Sequence, residues 1–221
     1  MPKLPLGNTA TYLGDWVITE AIAPSGGAYR GAVHLAPDGE ACTVSWDRDG
    51  TRCQGPALAF GDLIVASRQP IGEEQIPEDG RVGLVFYHIR NDGTLPARWY
   101  HPSLRGKVGT GISTDGPIGQ LAGTYKADYK TAADETFEPL QKQLSEDDGV
   151  YRLTWLKAES AIYEGVGMRV ADHLAVGWGP PGTKIELAVL RRPAGDENKL
   201  TGTYVAIDQR GNGQEMISRV T

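Results

Sequence analysis

Residues 41–59 read ACTVSWDRDGTRCQGPALA, and this stretch decides the fold class. Apolar and polar residues alternate up to Trp46, the turn sequence Asp47-Arg48-Asp49-Gly50 follows, and a second short run leads to Ala59. Alternation with a period of two on both sides of an Asp-Gly turn is typical of a β-hairpin. The stretch therefore predicts two neighbouring antiparallel strands.

Short alternating runs of the same kind continue on both sides of this hairpin. With 29 Gly and 14 Pro and no sustained 3.6-residue apolar period, the sequence leaves little room for helices. Eight short strands joined mostly by hairpins are typical of an up-and-down β-barrel. In the first half, the predicted strands cover residues 16–20, 29–35, 41–46, 52–59, 62–68, 81–88, 95–100 and 107–112.

The second half repeats landmarks of the first half in the same order. Gly14-Asp15-Trp16 recurs as Gly123-Thr124-Tyr125, and Val44-Ser45-Trp46 recurs as Leu153-Thr154-Trp155, both 109 residues later. Repeated landmarks with gaps only in loops indicate a duplicated unit. We therefore predict an all-β protein of two tandem antiparallel meander barrels of about eight strands each, at residues 1–116 and 117–221.

Residues 131–148 are compatible with two structures. The run from Ala133 to Leu144 could form a helix, whereas the repeat offset aligns Leu140 and Leu144 with Gly31 and Leu35 in a strand. We favour the strand. The sequence leaves open whether the halves form separate barrels or one larger fold.

The Gly-x-Trp pattern at residues 14–16, followed by a meander of eight short strands, resembles the calycin group of small barrels, the lipocalins and avidins. Residues 200–204, Leu-Thr-Gly-Thr-Tyr, look like the opening strand of avidins. The second lipocalin motif, with its Thr-Asp-Tyr, is not found, and two barrels in one chain are not the usual layout. The resemblance implies a ligand site among aromatic side chains at one barrel mouth, and it implies no particular activity.

Strand direction and side-chain alternation together predict which residues share a barrel mouth. Aromatic rings that converge at a mouth favour binding of a small, partly apolar or aromatic ligand, although such rings also serve simply to close a barrel end. In the first half the inward residues at this mouth are Glu20, Tyr29, Trp46, Arg68 and Trp99. In the second half they are Tyr129, Trp155, Trp178 and Tyr204, with Glu138 near the place of Tyr29.

Glu20 and Arg68 are the candidate catalytic residues. An inward carboxylate and guanidinium are costly unless they pair with each other, as a structural ion pair, or with a ligand. In the functional case Arg68 would hold an anionic or carbonyl group and Glu20 would act as a general acid or base. The alternative function is thus a cofactor-independent cyclase, isomerase or lyase in the first barrel, and the sequence does not decide whether the protein is an enzyme.

Charge and composition exclude several partners. The 221-residue chain has 22 Lys plus Arg against 28 Asp plus Glu, a formal net charge of -6, which disfavours nucleic acid and anionic membranes. The sequence has no apolar run that would fit a signal peptide or a membrane span, so a soluble, cytoplasmic protein with a small-molecule ligand is expected. Its oligomeric state stays open.

The cysteine and histidine positions predict neither a disulfide nor a metal site. Cys42 and Cys53 lie diagonally across the predicted hairpin, a poor geometry for a disulfide, and are expected to be buried thiols. The histidines have no pair at metal-ligand spacing, so no metal and no cofactor is expected. His88 is predicted to point inward, at the opposite end of the barrel from Glu20. The four histidines are His34, His88, His101 and His173.

Overall fold

A computed structural model describes residues 6–72 and 76–220, and it is an all-β structure. The first five residues, which belong to the segment examined for a signal peptide, lie outside the described residues. Three short 3-10 helices cover Thr9–Tyr12, Glu78–Gly80 and Pro102–Leu104. Among the described residues, no helix has the length and hydrophobicity needed to cross a membrane.

The strands are β1 (Gly14–Ile22), β2 (Gly31–Asp38), β3 (Ala41–Arg48), β4 (Thr51–Phe60), β5 (Leu63–Pro70), β6 (Gly83–His88), β7 (Leu95–Tyr100), β8 (Gly109–Thr114), β9 (Gly123–Lys130), β10 (Leu140–Asp147), β11 (Val150–Lys157), β12 (Ser160–Val170), β13 (His173–Gly179), β14 (Glu186–Arg191), β15 (Lys199–Ala206) and β16 (Gly213–Arg219).

The strands close into two antiparallel barrels of eight strands each. The central barrel consists of β6 to β13 in chain order and closes where β6 pairs with β13. The terminal barrel consists of β1 to β5 and β14 to β16, and it closes through the pairs β1–β16 and β5–β14. The predicted fold class of two eight-stranded antiparallel barrels is confirmed.

The two copies of the repeat exchange their last three strands. Strands β1 to β8 form the first copy and β9 to β16 the second, but β6 to β8 complete the barrel begun by β9 to β13. Residues 1–116 and 117–221 therefore delimit the two copies and do not delimit the two barrels, which corrects the predicted domain division. Side-chain alternation at the fifth and sixth strands is alike in both copies, so alternation alone does not specify which sixth strand pairs with which fifth strand.

The hairpin of residues 41–59 has the predicted geometry. Trp46 on β3 lies opposite Cys53 on β4, and the second copy repeats the arrangement with Trp155 opposite Tyr163. Cys42 and Cys53 are buried free thiols, as predicted. The segment that could be helix or strand contains β10, so the strand prediction is confirmed there.

The two barrels pack against each other through an apolar seam. Phe60 of the terminal barrel stacks on Phe86 of the central barrel, with ring centroids 4.0 Å apart. Burying a phenylalanine side chain stabilises the folded state by roughly 1.5–3 kcal/mol, so this stack contributes strongly to the seam. Strands β5 and β6 are buried on both faces, since one face fills a barrel and the other lies in the seam. Their sequences consequently contain continuous apolar runs instead of strict alternation.

Candidate functional site

The strand exchange divides the predicted mouth residues into two sets. Trp99 was predicted to share a mouth with Trp46 and Arg68, and this is wrong because β7 belongs to the central barrel. Tyr204 takes its place in the terminal barrel. The terminal set is therefore Tyr29, Trp46, Arg68 and Tyr204, and the central set is Trp99, Tyr129, Trp155 and Trp178.

Glu20 does not reach either set, so its predicted inward orientation is wrong. The β1–β16 register shifts between Ile18 and Glu20, which marks a β-bulge. A bulge adds one residue and reverses the side-chain alternation beyond it. Ala21 is therefore buried, while Glu20 is exposed. The expected pairing of Glu20 with Arg68 does not form.

Arg68 is fully buried, and its partners are two other carboxylates. Its Nε donates to Glu186 Oε2 at 2.7 Å, and its Nη2 lies 2.9 Å from Glu215 Oε1, an ion pair without the alignment of a hydrogen bond. The guanidinium also lies 4.5 Å from the Trp46 ring centroid and 4.9 Å from that of Tyr204. Cation–π contacts and ion pairs together compensate for the burial of this charge.

Arg48 and Tyr29 complete the polar cluster at the terminal mouth. Arg48 Nη2 donates to Glu186 Oε1 at 2.9 Å, and the Tyr29 hydroxyl donates to Glu215 Oε1 at 2.5 Å. Burial raises the pKa of Glu186, but Arg68 and Arg48 more than offset this, so its pKa is lowered overall. Burial and the charge of Glu215 raise the pKa of Tyr29, which stays neutral. The terminal mouth is filled by its own charged side chains.

The mouth of the central barrel instead contains a cavity of about 890 Å³. Its walls include all four members of the central set, Trp99, Tyr129, Trp155 and Trp178, together with Tyr163. A volume of this size lies within the range of small-molecule sites, roughly 300–1,000 Å³. Of the seven aromatic residues predicted to bind ligand, these four line the pocket.

Edge-to-face contacts fix the aromatic walls of the pocket. The Trp99 and Tyr129 ring centroids are 6.1 Å apart at 74°, and those of Tyr163 and Trp178 are 4.9 Å apart at 71°. Phe137, about half exposed, extends this wall at the rim, 5.7 Å from Trp99. Such edge-to-face arrangements are favourable for aromatic pairs and keep these rings packed together along the wall.

The Tyr129 hydroxyl is a polar group of the pocket with two side-chain hydrogen-bond partners. Trp155 Nε1 donates to it at 2.8 Å, and the buried Tyr87 hydroxyl lies 2.6 Å away. When Tyr87 donates as well, both lone pairs of Tyr129 are used and its own proton is free to point into the cavity. Burial raises the pKa of Tyr129 to about 12, so the group is a neutral donor at physiological pH.

Two glycines explain why the central mouth is open to rings while the terminal mouth is filled with charge. Gly83 on β6 lies opposite Trp178, as Glu186 on β14 lies opposite Arg68. A Cβ at Gly83 would stand 2.3 Å from the Trp178 indole, so only glycine leaves room for this ring.

The second glycine acts in the same way on the neighbouring strands. Gly111 on β8 lies opposite Ala97, and Glu215 on β16 lies opposite Gly202. Ala97 and Gly202 are equivalent in the repeat, so Gly111 occupies the position of Glu215. A Cβ at Gly111 would stand 2.5 Å from the Tyr129 ring. Where the terminal barrel has an Arg-Glu-Glu cluster, the central barrel thus has Trp178 and two glycines, which leave room for the Trp178 and Tyr129 rings.

The rim of the pocket is polar and mainly acidic. Glu78, Asp79 and Glu138 line it, and Lys157 pairs with Glu138 at 2.5 Å. His101 stacks on Trp178 with ring centroids 5.4 Å apart, and burial lowers the pKa of its imidazole. The aromatic walls are therefore entered through a rim of net negative charge.

Sequence reasoning missed a lysine beneath the pocket floor. Lys142 lies one inward position deeper than Leu140 on β10 and is fully buried. Its Nζ donates to Ser113 Oγ at 2.7 Å and lies 4.1 Å from the Tyr87 ring centroid. Burial holds the pKa of this amine well below its ordinary value. Its inward alternation between Leu140 and Leu144 is the sequence signal that could have revealed it.

Comparison with protein-family models, with curated proteins and with solved structures finds no match for this chain. The structural class of the protein is therefore defined by its fold alone, which is a duplicated double β-barrel in which the two copies exchange three strands. Within that class, one barrel has an aromatic pocket and the other has a charged plug.

Proposed function

We propose that the protein binds a flat, partly apolar small molecule in the central barrel and that the terminal barrel serves as a structural partner. The observation that carries the proposal is the cavity of about 890 Å³ between Trp99, Tyr129, Trp155 and Trp178. Concave, mostly apolar sites with a few ordered polar groups are the usual form of small-molecule sites.

The polar groups of the pocket restrict the chemistry of the ligand. The Tyr129 hydroxyl favours a ligand with a carbonyl or another hydrogen-bond acceptor that reaches the pocket floor. The rim has three carboxylates against one ammonium, which disfavours an anion. We therefore propose a neutral or cationic aromatic ligand with an acceptor at its inner end.

The proposal includes three predictions from the sequence, which concern the relation to calycins, the cellular location and a possible enzymatic activity. Binding at an aromatic barrel mouth is the mode that the resemblance to calycins implies, and a kinship with that group is part of the hypothesis. Residence in the cytoplasm is likewise proposed from the sequence. The enzymatic alternative, with Glu20 and Arg68 as catalytic residues, is favoured by no contact among the described residues, because Arg68 is occupied by Glu186 and Glu215.

The experiment is a binding screen with two matched variants. Prodan, a neutral naphthalene ketone with polarity-sensitive emission, is titrated first, followed by a library of aromatic and lipid-like metabolites that compete with it or quench tryptophan fluorescence. Trp155→Phe removes a pocket wall, whereas Trp46→Phe changes the equivalent position of the terminal barrel. We expect Trp155→Phe to weaken binding at least about tenfold, a loss of about 1.4 kcal/mol, and Trp46→Phe to leave it unchanged.

Two results would contradict the proposal. One is a screen in which no compound binds. The other is an equal loss of affinity in both variants, which would place the ligand outside the central pocket.

A further inference from the structure

Two histidines and an aspartate meet at the end of the central barrel opposite the pocket. His88 on β6 and His173 on β13 lie directly across from each other, and Asp172 precedes β13 in the turn. His173 Nδ1 lies 2.7 Å from Asp172 Oδ1, and His88 Nδ1 lies 3.5 Å from Asp172 Oδ2. One ligand atom from each residue can be chosen so that all three lie within 4.8 Å of one another.

The three side chains lie outside the barrel, at the edge of the seam. His88 follows the alternation of Phe86, which faces the seam, and not that of Tyr87, which faces the lumen. The predicted inward orientation of His88 is therefore wrong. His173 stacks on Phe86 with ring centroids 4.8 Å apart, and Ile89 N donates to Asp172 O at 2.7 Å. Paired strands and these contacts hold the three residues in place.

One polar atom of the cluster is buried without a hydrogen-bond partner among the described residues. His88 Nδ1 faces Asp172 but does not form a hydrogen bond with it. A buried nitrogen without a hydrogen-bond partner destabilises the folded protein by about 1–3 kcal/mol. A bound ligand atom or ion at His88 Nδ1 would remove this cost.

The terminal barrel has an ion pair at the equivalent position. Asp62 and Leu63 on that barrel correspond to Asp172 and His173, and Arg191 lies opposite Leu63 as His88 lies opposite His173. There Arg191 Nε pairs with Asp62 Oδ2 at 3.0 Å. The carboxylate is thus neutralised by a fixed cation. In the central barrel the arginine and the leucine are both replaced by histidine.

We infer that His88, Asp172 and His173 bind a divalent first-row transition-metal ion such as Zn²⁺ or Co²⁺. Imidazole and carboxylate together suit these ions, whereas Mg²⁺ and Ca²⁺ prefer oxygen ligands alone. In tetrahedral zinc sites, bonds of 2.0–2.1 Å separate the ligand atoms by about 3.4 Å. The three ligand atoms here lie within 4.8 Å of one another, so small side-chain rotations would bring them to that spacing. Three protein ligands leave at least one coordination position open, which a water molecule can occupy.

The sequence could not show this site. It contains no histidine pair at short spacing, which led to the expectation of no metal. His88 and His173 come from different copies of the repeat and meet only because β6 pairs with β13 across the strand exchange.

The test is a Zn²⁺ and Co²⁺ titration of the full chain without an affinity tag, followed by calorimetry and by the visible absorption of Co²⁺. We expect one equivalent to bind, and His88→Ala and His173→Ala each to weaken binding at least about tenfold. His34→Ala is the matched control, because His34 forms an exposed pair with Asp15 at 2.6 Å and has no second histidine in that pair. It should bind as the unmodified protein does.

A second variant distinguishes loss of the metal site from loss of the folded structure. His88→Arg introduces the ion pair of the terminal barrel, so we expect it to abolish metal binding while the thermal unfolding midpoint without metal stays the same or rises. The inference is overturned by absence of saturable binding up to about 1 mM Zn²⁺. It is also overturned by binding that His88→Arg and His173→Ala leave intact, or that His34→Ala weakens equally. None of these results bears on the pocket at the other end of the barrel.

Discussion

Lys142→Met should stabilise the protein, and the gain should depend on pH. The amine is fully buried, and no charge of the described residues offsets the cost of its burial. Burial lowers its pKa well below the ordinary value, whereas in the unfolded chain the pKa is about 10.4. The unfolded state therefore binds one more proton than the folded state at every pH between these two values. At such a pH folding releases this proton, which destabilises the native protein.

The magnitude follows from this proton release. As pH rises through the window between the folded-state pKa and about 10.4, the unmodified protein gains about 1.4 kcal/mol of stability per pH unit. The Lys142→Met variant lacks this dependence. It loses the hydrogen bond to Ser113, worth about 1 kcal/mol, but keeps the side-chain volume. The variant should be the more stable protein at pH 7, and its advantage should shrink steadily towards pH 10.

The assay is urea unfolding of both proteins at four pH values from about 7 to 10, with the difference in unfolding free energy plotted against pH. Titration of the tyrosines is common to both proteins and cancels in the difference. Lys126→Met on neighbouring β9 is the control, because its side chain is exposed and its removal should give a difference independent of pH. A constant difference for Lys142→Met, or a variant less stable at pH 7, would show that the amine stays charged in the barrel and would refute the reasoning.

The terminal barrel indicates that an apolar residue fits this position. Val33 lies between Trp16 and Trp46 as Lys142 lies between Tyr125 and Trp155. Ser113, which accepts the hydrogen bond of Lys142, also has an apolar counterpart in the terminal barrel, Ile217 on β16. Lysine and serine thus stand together where the terminal barrel has two apolar side chains.

Three further predictions concern the plug, the pocket floor and the strand exchange. Arg68→Met leaves two carboxylates in the terminal mouth without their buried cation and should lower the unfolding free energy by about 3–5 kcal/mol in urea titrations, whereas a change below about 1 kcal/mol would show that the ion pairs are weak. Tyr129→Phe removes the acceptor of two buried donors and should cost about 1–3 kcal/mol of stability by the same assay while weakening ketone ligands more than hydrocarbons; equal weakening of both would argue against a hydrogen bond to the ligand. A fragment of residues 81–182 contains every strand of the central barrel and should give a dispersed amide NMR spectrum, whereas residues 1–116 should not, and the opposite result would mean that each copy forms its own barrel.

Local sequence patterns were sufficient to predict the strands and the duplication. The Asp-Gly turn of residues 47–50 and the alternation around it specify a hairpin. The recurrence of Val44-Ser45-Trp46 as Leu153-Thr154-Trp155 indicates the repeat. Both signals depend on neighbouring residues alone. They predicted the aromatic walls of the pocket because Trp99, Trp155 and Trp178 each alternate inward on their own strand.

The pairing of strands that are distant in sequence could not be predicted. The exchange of β6 to β8 for β14 to β16 leaves every local pattern unchanged but moves Trp99 to another barrel. The bulge before Glu20 turns this residue outward without a Gly or Pro to mark it. Glu215 alternates with the buried Ile217 and could have been identified as inward, but its partner Arg68 lies on a strand of the other copy.

The central claim is that one barrel is open to an aromatic ligand and the other is closed. The five tryptophans report on it directly, because three line the central pocket and two, Trp16 and Trp46, lie in the core of the terminal barrel. The measurement is fluorine NMR of the protein labelled with 5-fluorotryptophan, assigned by single Trp→Phe substitutions and titrated with prodan or the best compound of the screen. We predict that the resonances of Trp99, Trp155 and Trp178 shift and that those of Trp16 and Trp46 stay in place. Shifts confined to the terminal barrel, or no shift at saturating ligand, would contradict the account.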